Sequence, residues 1–556
     1  MPLKKCELFY LPLGGAGEIG MNCYLYGYGG KWLMVDLGIT FADESIPGID
    51  ILMPDLHFIE AHREDLVGLV LTHGHEDHLG AVPYLWSRLG CPVFATPFTA
   101  ALLRRKLSET RLDGEVPIHE VGLGGTLALG PFEIVFLTLT HSIPEPNALV
   151  IRTPLGAVLH SGDWKFDPDP LIGAPSDEAA LRALGEEGVL AMTNDSTNVF
   201  VEGMSGSEGD LKKSLTELIS RFTARVAVAC FATNVARLTS IAAAARANGR
   251  EVALVGRSLR RIDSVARETG VLKDLPPFLD EEAAVHMPRE KIVLICTGSQ
   301  GEPRAALSQI VRGGHRHVRL ETGDAVIFSS RVIPGNEKAI ASLQNELVQN
   351  GIEVITAAGN DIHVSGHPAR DELKRMYGLV RPRFAIPMHG EARHLKAHVE
   401  LAESCQVPAA FYVENGQLLR ITRDHAEMVD RVPTGRLGLD GKRLVPVVDG
   451  VMKRRRDMHR DGLIVATAVL SREGFLVSPP KVTAPGLLDP EKDASLLEEA
   501  AIRAAEALDG LTLAERMNAE QIEITVRLAV QRYLRDASGK RSKVEVHLVR
   551  LAEDSG

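Results

Sequence analysis

Residues 72–79, Thr72-His-Gly-His-Glu-Asp-His-Leu79, set three histidines and an aspartate within six positions, directly after the apolar run Val67–Leu71. Imidazoles and carboxylates disperse in ordinary cores and gather around metals, so this stretch demands a fold that builds a metal site on a strand end. An extended backbone throws His73 and His75 to one side, and Gly74 lets the main chain come close. Asp77 and His78 follow where the chain turns into a helix (Leu79–Trp86), aiming a carboxylate and a third imidazole at the same region. Nitrogen and oxygen donors without thiolate suit zinc or manganese.

The same placement recurs downstream. Ala157-Val-Leu-His-Ser-Gly-Asp163 is an apolar strand, a glycine and then an acid, which makes Asp163 the candidate carboxylate shared between two metals; Asp167 reads as structural. Val189–Met192 runs into Thr193-Asn-Asp195, and Phe384-Ala-Ile into Pro387-Met-His389, a candidate last ligand. His141 follows a β-branched run and is weak evidence alone. Strands that alternate with helices and end in His or Asp describe an αββα sandwich with its site on loops at one edge.

Gly15-Ala-Gly-Glu-Ile-Gly20 matches a dinucleotide fingerprint, with Asp36 at the expected distance. Such a unit needs a helix after the glycines, but residues 21–26 and 31–35 alternate around a Gly-rich turn and read as a hairpin. Asp36 then caps its strand or holds the metal loop by hydrogen bonds; the residues favour neither. Between 208 and 360 the chain has a periodicity of its own. Helices over 208–223, 235–247, 258–270 and 337–350 separate strands over 227–231, 251–255, 291–296 and 325–329, a parallel sheet inserted into the first domain. Small polar runs fall at its carboxyl ends, Ala232-Thr233-Asn234, Thr297–Glu302 and Ser329-Ser330. Thr297–Gly301 makes an anion nest or a plain strand-to-helix turn.

At 556 residues, several domains are expected: 1–207 and 361–435 forming one domain around the 208–360 insertion, a linker over 436–461, and a small α+β unit over 462–556. That last unit reads as a strand at 463–469, helices at 491–508 and 517–535, and a strand at 544–549. The six cysteines (Cys6, Cys23, Cys91, Cys230, Cys296, Cys405) form no close pair, against a disulfide framework or a Cys-based zinc knuckle. No signal peptide is evident and no run reaches the ~20 apolar residues of a membrane helix, so a cytoplasmic protein without a membrane partner is expected. A net charge of −11 disfavours a nucleic-acid partner unless basic residues cluster locally. Lys453–Arg456 is such a cluster, but it reads more readily as a solvated charge run than as an RNA contact.

The chain resembles the ribonuclease J family, of the β-CASP group within the metallo-β-lactamase superfamily. The resemblance runs over residues 7–430 and rests on Gly14–Gly20, Thr72–His78, Thr140-His-Ser-Ile-Pro144, Ser161-Gly-Asp163, Asp195-Ser-Thr-Asn198, Cys296–Pro303, His363-Val-Ser-Gly-His367 and Met388-His-Gly-Glu391. It implies one divalent ion on His73, His75, His141 and Asp163 and another on Asp77, His78, Asp163 and His389, zinc with manganese or magnesium as alternatives. It gives Asp36 a supporting role and places Asp195, His363 and His389 in the three β-CASP motifs. Asp77, His78, Asp195 and His363 are the implied catalytic residues, His363 stabilising phosphoryl oxygens, donating a proton, or serving structure only. The implied activity is hydrolysis of single-stranded RNA, 5′-to-3′ from monophosphorylated ends together with endonuclease cleavage, in RNA maturation and decay. Ala232, Thr233, Asn234, Ser299, Gly301, Glu302, His363, Val364, Ser365, Gly366 and His367 would bind the terminal phosphate. Arg257, Arg260, Arg261, Arg304, Arg312 and Arg316 can line the strand's channel. A homodimer or homotetramer, formed through the carboxyl-terminal domain, and other RNA-decay proteins are the implied partners.

Competing readings are a small-ester hydrolase of the same superfamily, a non-catalytic RNA-binding or degradosome scaffold subunit, and a DNA-directed β-CASP nuclease. Activity on a thioester, a His75→Ala variant that behaves like the parent in every assay, and equal degradation of a deoxy strand would mark them respectively.

Overall fold

In the computed structural model, which describes residues 7–333, 335–448 and 450–551, the first strand, Leu8–Gly14, lies between Cys23–Tyr28 and Gln417–Ile421, antiparallel to both. The Gly-rich segment after it leads into the hairpin Cys23–Tyr28/Lys31–Val35, so the fingerprint-like glycines form a loop with no dinucleotide-type helix behind them. The sheet continues through Leu66–Val70, Val93–Ala95 and Ile118–Glu120 to eight strands. A second sheet of seven, Thr126–Leu129, Phe132–Thr138, Asn147–Thr153, Gly156–His160, Val189–Asp195, Phe384–Met388 and Ala409–Ala410, stacks on it. Alternation drives this stacking. Tyr10, Tyr26, Leu33 and Val70 from one sheet and Phe132, Ile134, Leu149 and Val158 from the other share one buried cluster. The outer face of the second sheet is covered by helices Glu178–Glu187, Arg370–Val380 and Ala392–Ser404, with Leu181, Met376 and Leu401 packed inward. This is the αββα sandwich expected from the sequence.

Register decides where the site lies. Strand Phe384–Met388 returns parallel to Val189–Asp195 with Met388 opposite Asp195, and Gly156–His160 runs parallel on the other side with His160 opposite Thr193. Residues just beyond these strands, Asp163, Asp195 and His389, therefore leave the sheet at one edge. In the first sheet Val35 pairs with Val70 in parallel, so Asp36 and Thr72-His73 emerge together.

The inserted segment forms a five-stranded parallel sheet in the order Glu251–Val255, Ile292–Cys296, Val226–Ala229, Ala325–Phe328, Glu353–Ile355. Every strand is short and nearly all apolar, as expected when helices cover both faces. Its polar strand ends again share an edge, since Ala229 stands opposite both Cys296 and Phe328.

The described residues from Arg436 on, with Ala42–Asp50, form a second compact unit. The linker expected over 436–461 is instead a hairpin, Arg436–Asp440/Arg443–Pro446, followed by a helix, Gly450–Asp461. Only Met452 of that helix is buried, so its basic run carried too little apolar periodicity to be read as helical. Beyond it, Leu463–Leu470 pairs parallel with Lys543–Arg550 and antiparallel with Lys481–Thr483, while helices Ala494–Asp509 and Ala519–Ser538 bury Ala504, Ile522 and Val526 on one face. The five cysteines among the described residues are free; Cys6 lies outside them. Among the described residues no helix is long and apolar enough to cross a membrane.

Candidate metal centre

Thr72–Leu79 leaves its strand extended to His75 and then closes a short helix, Glu76–Leu79, that turns Asp77 and His78 back toward the strand end. Asp36 holds this turn. Its Oδ1 accepts the Thr72 amide at 2.8 Å, and its Oδ2 accepts the Thr72 hydroxyl at 2.8 Å and His78 Nδ1–H at 2.7 Å. The Thr72 hydroxyl, having donated, accepts from His73 Nδ1 at 3.0 Å, and the Gly366 carbonyl accepts from His141 Nδ1 at 2.5 Å. His73 and His141 are thereby fixed as the tautomer whose Nε2 faces inward without a proton, and His78 Nε2 is turned to the same centre.

Those free nitrogens converge. His75 Nδ1 lies 3.1 Å from both His73 Nε2 and His141 Nε2, and Asp163 Oδ2 lies 3.7 Å from each of the latter. On the other side the same Asp163 oxygen is 3.2 Å from His78 Nε2, while Asp77 Oδ2 is 3.6 Å from His78 Nε2 and 3.2 Å from His389 Nε2. Tetrahedral donors ~2.0–2.1 Å from a zinc ion stand about 3.3 Å apart, which is the spacing seen here. Asp163 Oδ1 and His389 Nε2 are buried without a hydrogen bond, a condition that coordination would relieve. The donors thus fit two divalent ions sharing one carboxylate, in the groups His73/His75/His141/Asp163 and Asp77/His78/Asp163/His389.

Electrostatics divides the cluster in the same way. Burial and the neighbouring imidazoles hold His73 and His141 well below the usual histidine range, and burial pushes His75 down to about 4. Three neutral imidazoles facing one another are ready to bind a cation. Burial would also depress His78 and His389, but the carboxylates around them, Asp163 foremost, raise both. Burial raises Asp36 despite its donors, while the surrounding histidines hold Asp77 and Asp163 low against the opposing effect of burial.

Family models match along the chain: "Metallo-beta-lactamase superfamily" over residues 16–196, "Ribonuclease J, beta-CASP domain" over 223–347, "Zn-dependent metallo-hydrolase RNA specificity domain" over 351–410 and "Ribonuclease J C-terminal domain" over 450–551. Ribonuclease J of Sinorhizobium meliloti is 42% identical over 550 residues, 98% of each chain. The chain belongs to the ribonuclease J family. Within that family, Ribonuclease J of Mycolicibacterium smegmatis is 39% identical over 96% of this chain and 95% of its own, and Ribonuclease J 1 of Streptococcus pyogenes 36% over 89% of each. A solved structure of a protein of unknown function from Enterococcus faecalis shares the fold, with a TM-score of 0.52 at 16% identity over 75% of this chain and 100% of that one.

Against this ribonuclease J background, the two histidines of one loop face different partners. His363 stands outside the cluster: its Nδ1 is 3.2 Å from the Arg237 guanidinium, and burial with that cation keeps the ring well below the usual histidine range. His367 lies in the cluster. Its Nδ1 is 2.7 Å from Asp195 Oδ2, and with Asp163, Asp195 and His389 it forms a third close group. Three residues of irregular chain, Val364, Ser365 and Gly366, separate the two histidines, and strand periodicity could not tell which ring turns inward.

The loop 363–367 is fastened from both sides. Asn198 Nδ2 donates to Ser365 Oγ at 2.8 Å and to the His367 carbonyl at 3.0 Å, and Arg237 Nη2 donates to the Val364 carbonyl at 3.2 Å. A Cβ on Gly366 would stand 2.7 Å from the His141 ring, so only glycine lets the backbone come this close. Asn234 caps the helix Val235–Ala247, whose Ala236 amide reaches the Ser142 carbonyl at 3.5 Å, which brings Ala232-Thr233-Asn234 toward the His141 segment. Ser299, Gly301 and Glu302 belong to a loop tied elsewhere: Gln300 Nε2 donates to the Arg331 carbonyl at 2.8 Å, and Glu302 Oε2 accepts the Gln300 amide at 3.0 Å. Of the arginines expected along a channel, Arg260, Arg261 and Arg312 are engaged with Glu281, Glu109 and Glu346. Sequence reasoning missed Arg237, fully buried against Glu208, and the buried pair Lys165–Asp167 at 2.8 Å.

Proposed function

We infer that this chain is a metal-dependent ribonuclease that hydrolyses phosphodiester bonds of single-stranded RNA. Its reading is further specified as 5′-to-3′ exonuclease action from monophosphorylated ends, with endonuclease cleavage, in cytoplasmic RNA maturation and decay. The observation that carries it is the donor set in which one oxygen of Asp163 serves two groups of ligands, with the Asp195–His367 pair beside it. A pair of divalent ions held there would lower the pKa of water and offset charge on the phosphoryl oxygens.

The chain's own residues supply the rest. Against the effect of burial, Asp195 and Asp163 raise His367, so the imidazolium gives Nδ1–H to Asp195 and keeps an Nε2–H to pass to the departing 3′-oxygen as water adds to phosphorus and the P–O3′ bond breaks, leaving a 5′-phosphate on the product. Ser365 and Gly366, anchored by Asn198 and by His141, offer a hydroxyl and backbone donors to a terminal monophosphate, while a triphosphate is too bulky for that loop. Ala232-Thr233-Asn234 and the Ser299–Glu302 loop would complete the pocket for that phosphate. Self-association through the carboxyl-terminal unit, as dimer or tetramer, completes the proposal.

The test compares 5′-monophosphate and 5′-triphosphate RNA with the metal-loaded and the chelated enzyme. Rapid, chelator-sensitive release of mononucleotides from the monophosphate strand is expected. A rate indifferent to chelation, or cleavage of a thioester but not RNA, would overturn the reading.

A further inference from the structure

Phe200 is an aromatic ring left in solvent beside the metal centre. Its neighbour Val199 is fully buried in the core under the second sheet, so the chain here is pinned while the next side chain points outward, 52% exposed. The backbone around it is held on both flanks: the Val199 amide donates to the Ser196 carbonyl at 3.1 Å, and the Val201 carbonyl accepts the Arg370 amide at 2.9 Å. An exposed phenylalanine on an ordered loop is costly to leave wet and loses little freedom on binding.

The ring is connected to the segments that carry the centre. Its centroid is 5.1 Å from that of His394, whose Nδ1 is 3.6 Å from Glu391, two residues beyond the ligand His389. Two residues before it, Asn198 clamps Ser365 and His367, and Arg331 donates to the same Asn198 side chain. The Arg393 guanidinium lies over the Phe200 ring at 5.9 Å and is paired with Glu391 at 2.8 Å, so its charge is partly answered and its flat face extends the aromatic surface. Val201 and Met204 of the same segment are exposed as well.

We propose that Phe200, with Arg393 at its side, is a stacking platform for one nucleobase of a single strand whose phosphodiester lies at the metal centre. A ring and a guanidinium bind any base by its π-face, without regard to sequence, as a nuclease that walks along RNA requires. A base is the occupant favoured over a protein side chain because the flanking cations, Arg331 and Arg393, suit a polyanion and the platform adjoins the loop proposed to hold its terminal phosphate. The proposal rests on the ribonuclease reading, and deepens it by assigning a base subsite to residues outside the metal and phosphate groups.

The test measures binding of a 5′-monophosphorylated ten-nucleotide RNA by the full chain in chelator, and KM and kcat with metal, for the parent, Phe200→Ala and Phe200→Trp. A single abasic position is walked along the RNA. Phe200→Ala is expected to raise Kd and KM by about 5–150-fold, the ~1–3 kcal/mol of one stacked base at ~1.4 kcal/mol per tenfold, while kcat stays near the parent value and Phe200→Trp restores binding. The penalty should vanish on RNA lacking the base at one particular position. Unchanged binding by Phe200→Ala, or a penalty equal at every abasic position, overturns the proposal. So does a parent enzyme indifferent to removal of any single base, which needs no variant to fold. A parent that binds with this position dependence yet cleaves no RNA would refute the ribonuclease reading and leave the platform standing.

Discussion

Replacing Arg237 by methionine should separate two consequences of one buried guanidinium. The Arg237 side chain has no exposure and that of Glu208 only 3%; their closest approach is 2.9 Å, and Glu208 keeps one other donor, the Ser240 hydroxyl at 2.8 Å. Arg237 also gives Nη1 to the carbonyl and hydroxyl of Ser329, both at 2.8 Å, and Nη2 to the Val364 carbonyl. Methionine fills much of the same volume, so the loss is electrostatic: a carboxylate stranded in the interior, at about 3–5 kcal/mol for a broken buried pair. Guanidinium titration of the full chain should show that loss. Removing Glu208 as well, in Arg237→Met/Glu208→Leu, should recover most of it, because no isolated charge remains. The second consequence is local to the centre. With Val364 released, Gly366 no longer presents its carbonyl to His141 at a fixed place, and metal affinity should fall in both variants, about 10–100-fold as for other groups that orient metal-binding histidines. A single variant less than about 1 kcal/mol below the parent would refute the argument from stranded charge. Parent-like metal affinity in the double variant would refute the link to the loop.

Asp36→Asn should weaken metal retention about 10–100-fold, read by metal content after dialysis against graded chelator, because His78 loses the acceptor that sets its tautomer. His367→Gln should retain both metals yet lose about 100–10,000-fold in turnover on RNA, whereas His363→Gln, which changes a ring facing Arg237, should cost far less. Acid should destabilise the protein through buried neutral histidines. Burial holds His398 and His160 down at about 3, against ~6.5 in an unfolded chain, so the folded state binds fewer protons between those values. Their contribution is complete above pH 6.5 and is lost as pH falls toward 3, about 2 kcal/mol for each at pH 5, measured by denaturant titration in chelator. His398→Asn should remove its share of the pH slope.

Much of the centre was legible because its residues share a single local grammar: an apolar strand, then a histidine or aspartate. Val67–Leu71 before His73, Ala157–His160 before Asp163 and Phe384–Met388 before His389 all follow it; parallel register brings the last two to one edge of the second sheet, and His73 leaves the first sheet beside Asp36. What stayed hidden depended on three-dimensional neighbours. Nothing in His363-Val-Ser-Gly-His367 shows which ring faces the cluster, because the choice is made by Asp195 attracting one and Arg237 occupying the other. Arg237 itself sits in a helix of otherwise small and apolar residues, where one arginine reads as a solvated side chain, and only the approach of Glu208 makes burial tolerable. The helix Gly450–Asp461 was hidden by its charge, with a single buried residue to mark a face.

The return of strand Phe384–Met388 to the side of Val189–Asp195 has a consequence for biosynthesis. Thr197 and His389 touch across 192 residues of chain. A polypeptide still leaving the ribosome can display His73, His75 and Asp163 early, but the last donor arrives only once the whole inserted sheet has been made. If His389 is that last donor, newly made chains would remain inert toward the message being translated until the insertion is finished and threaded back.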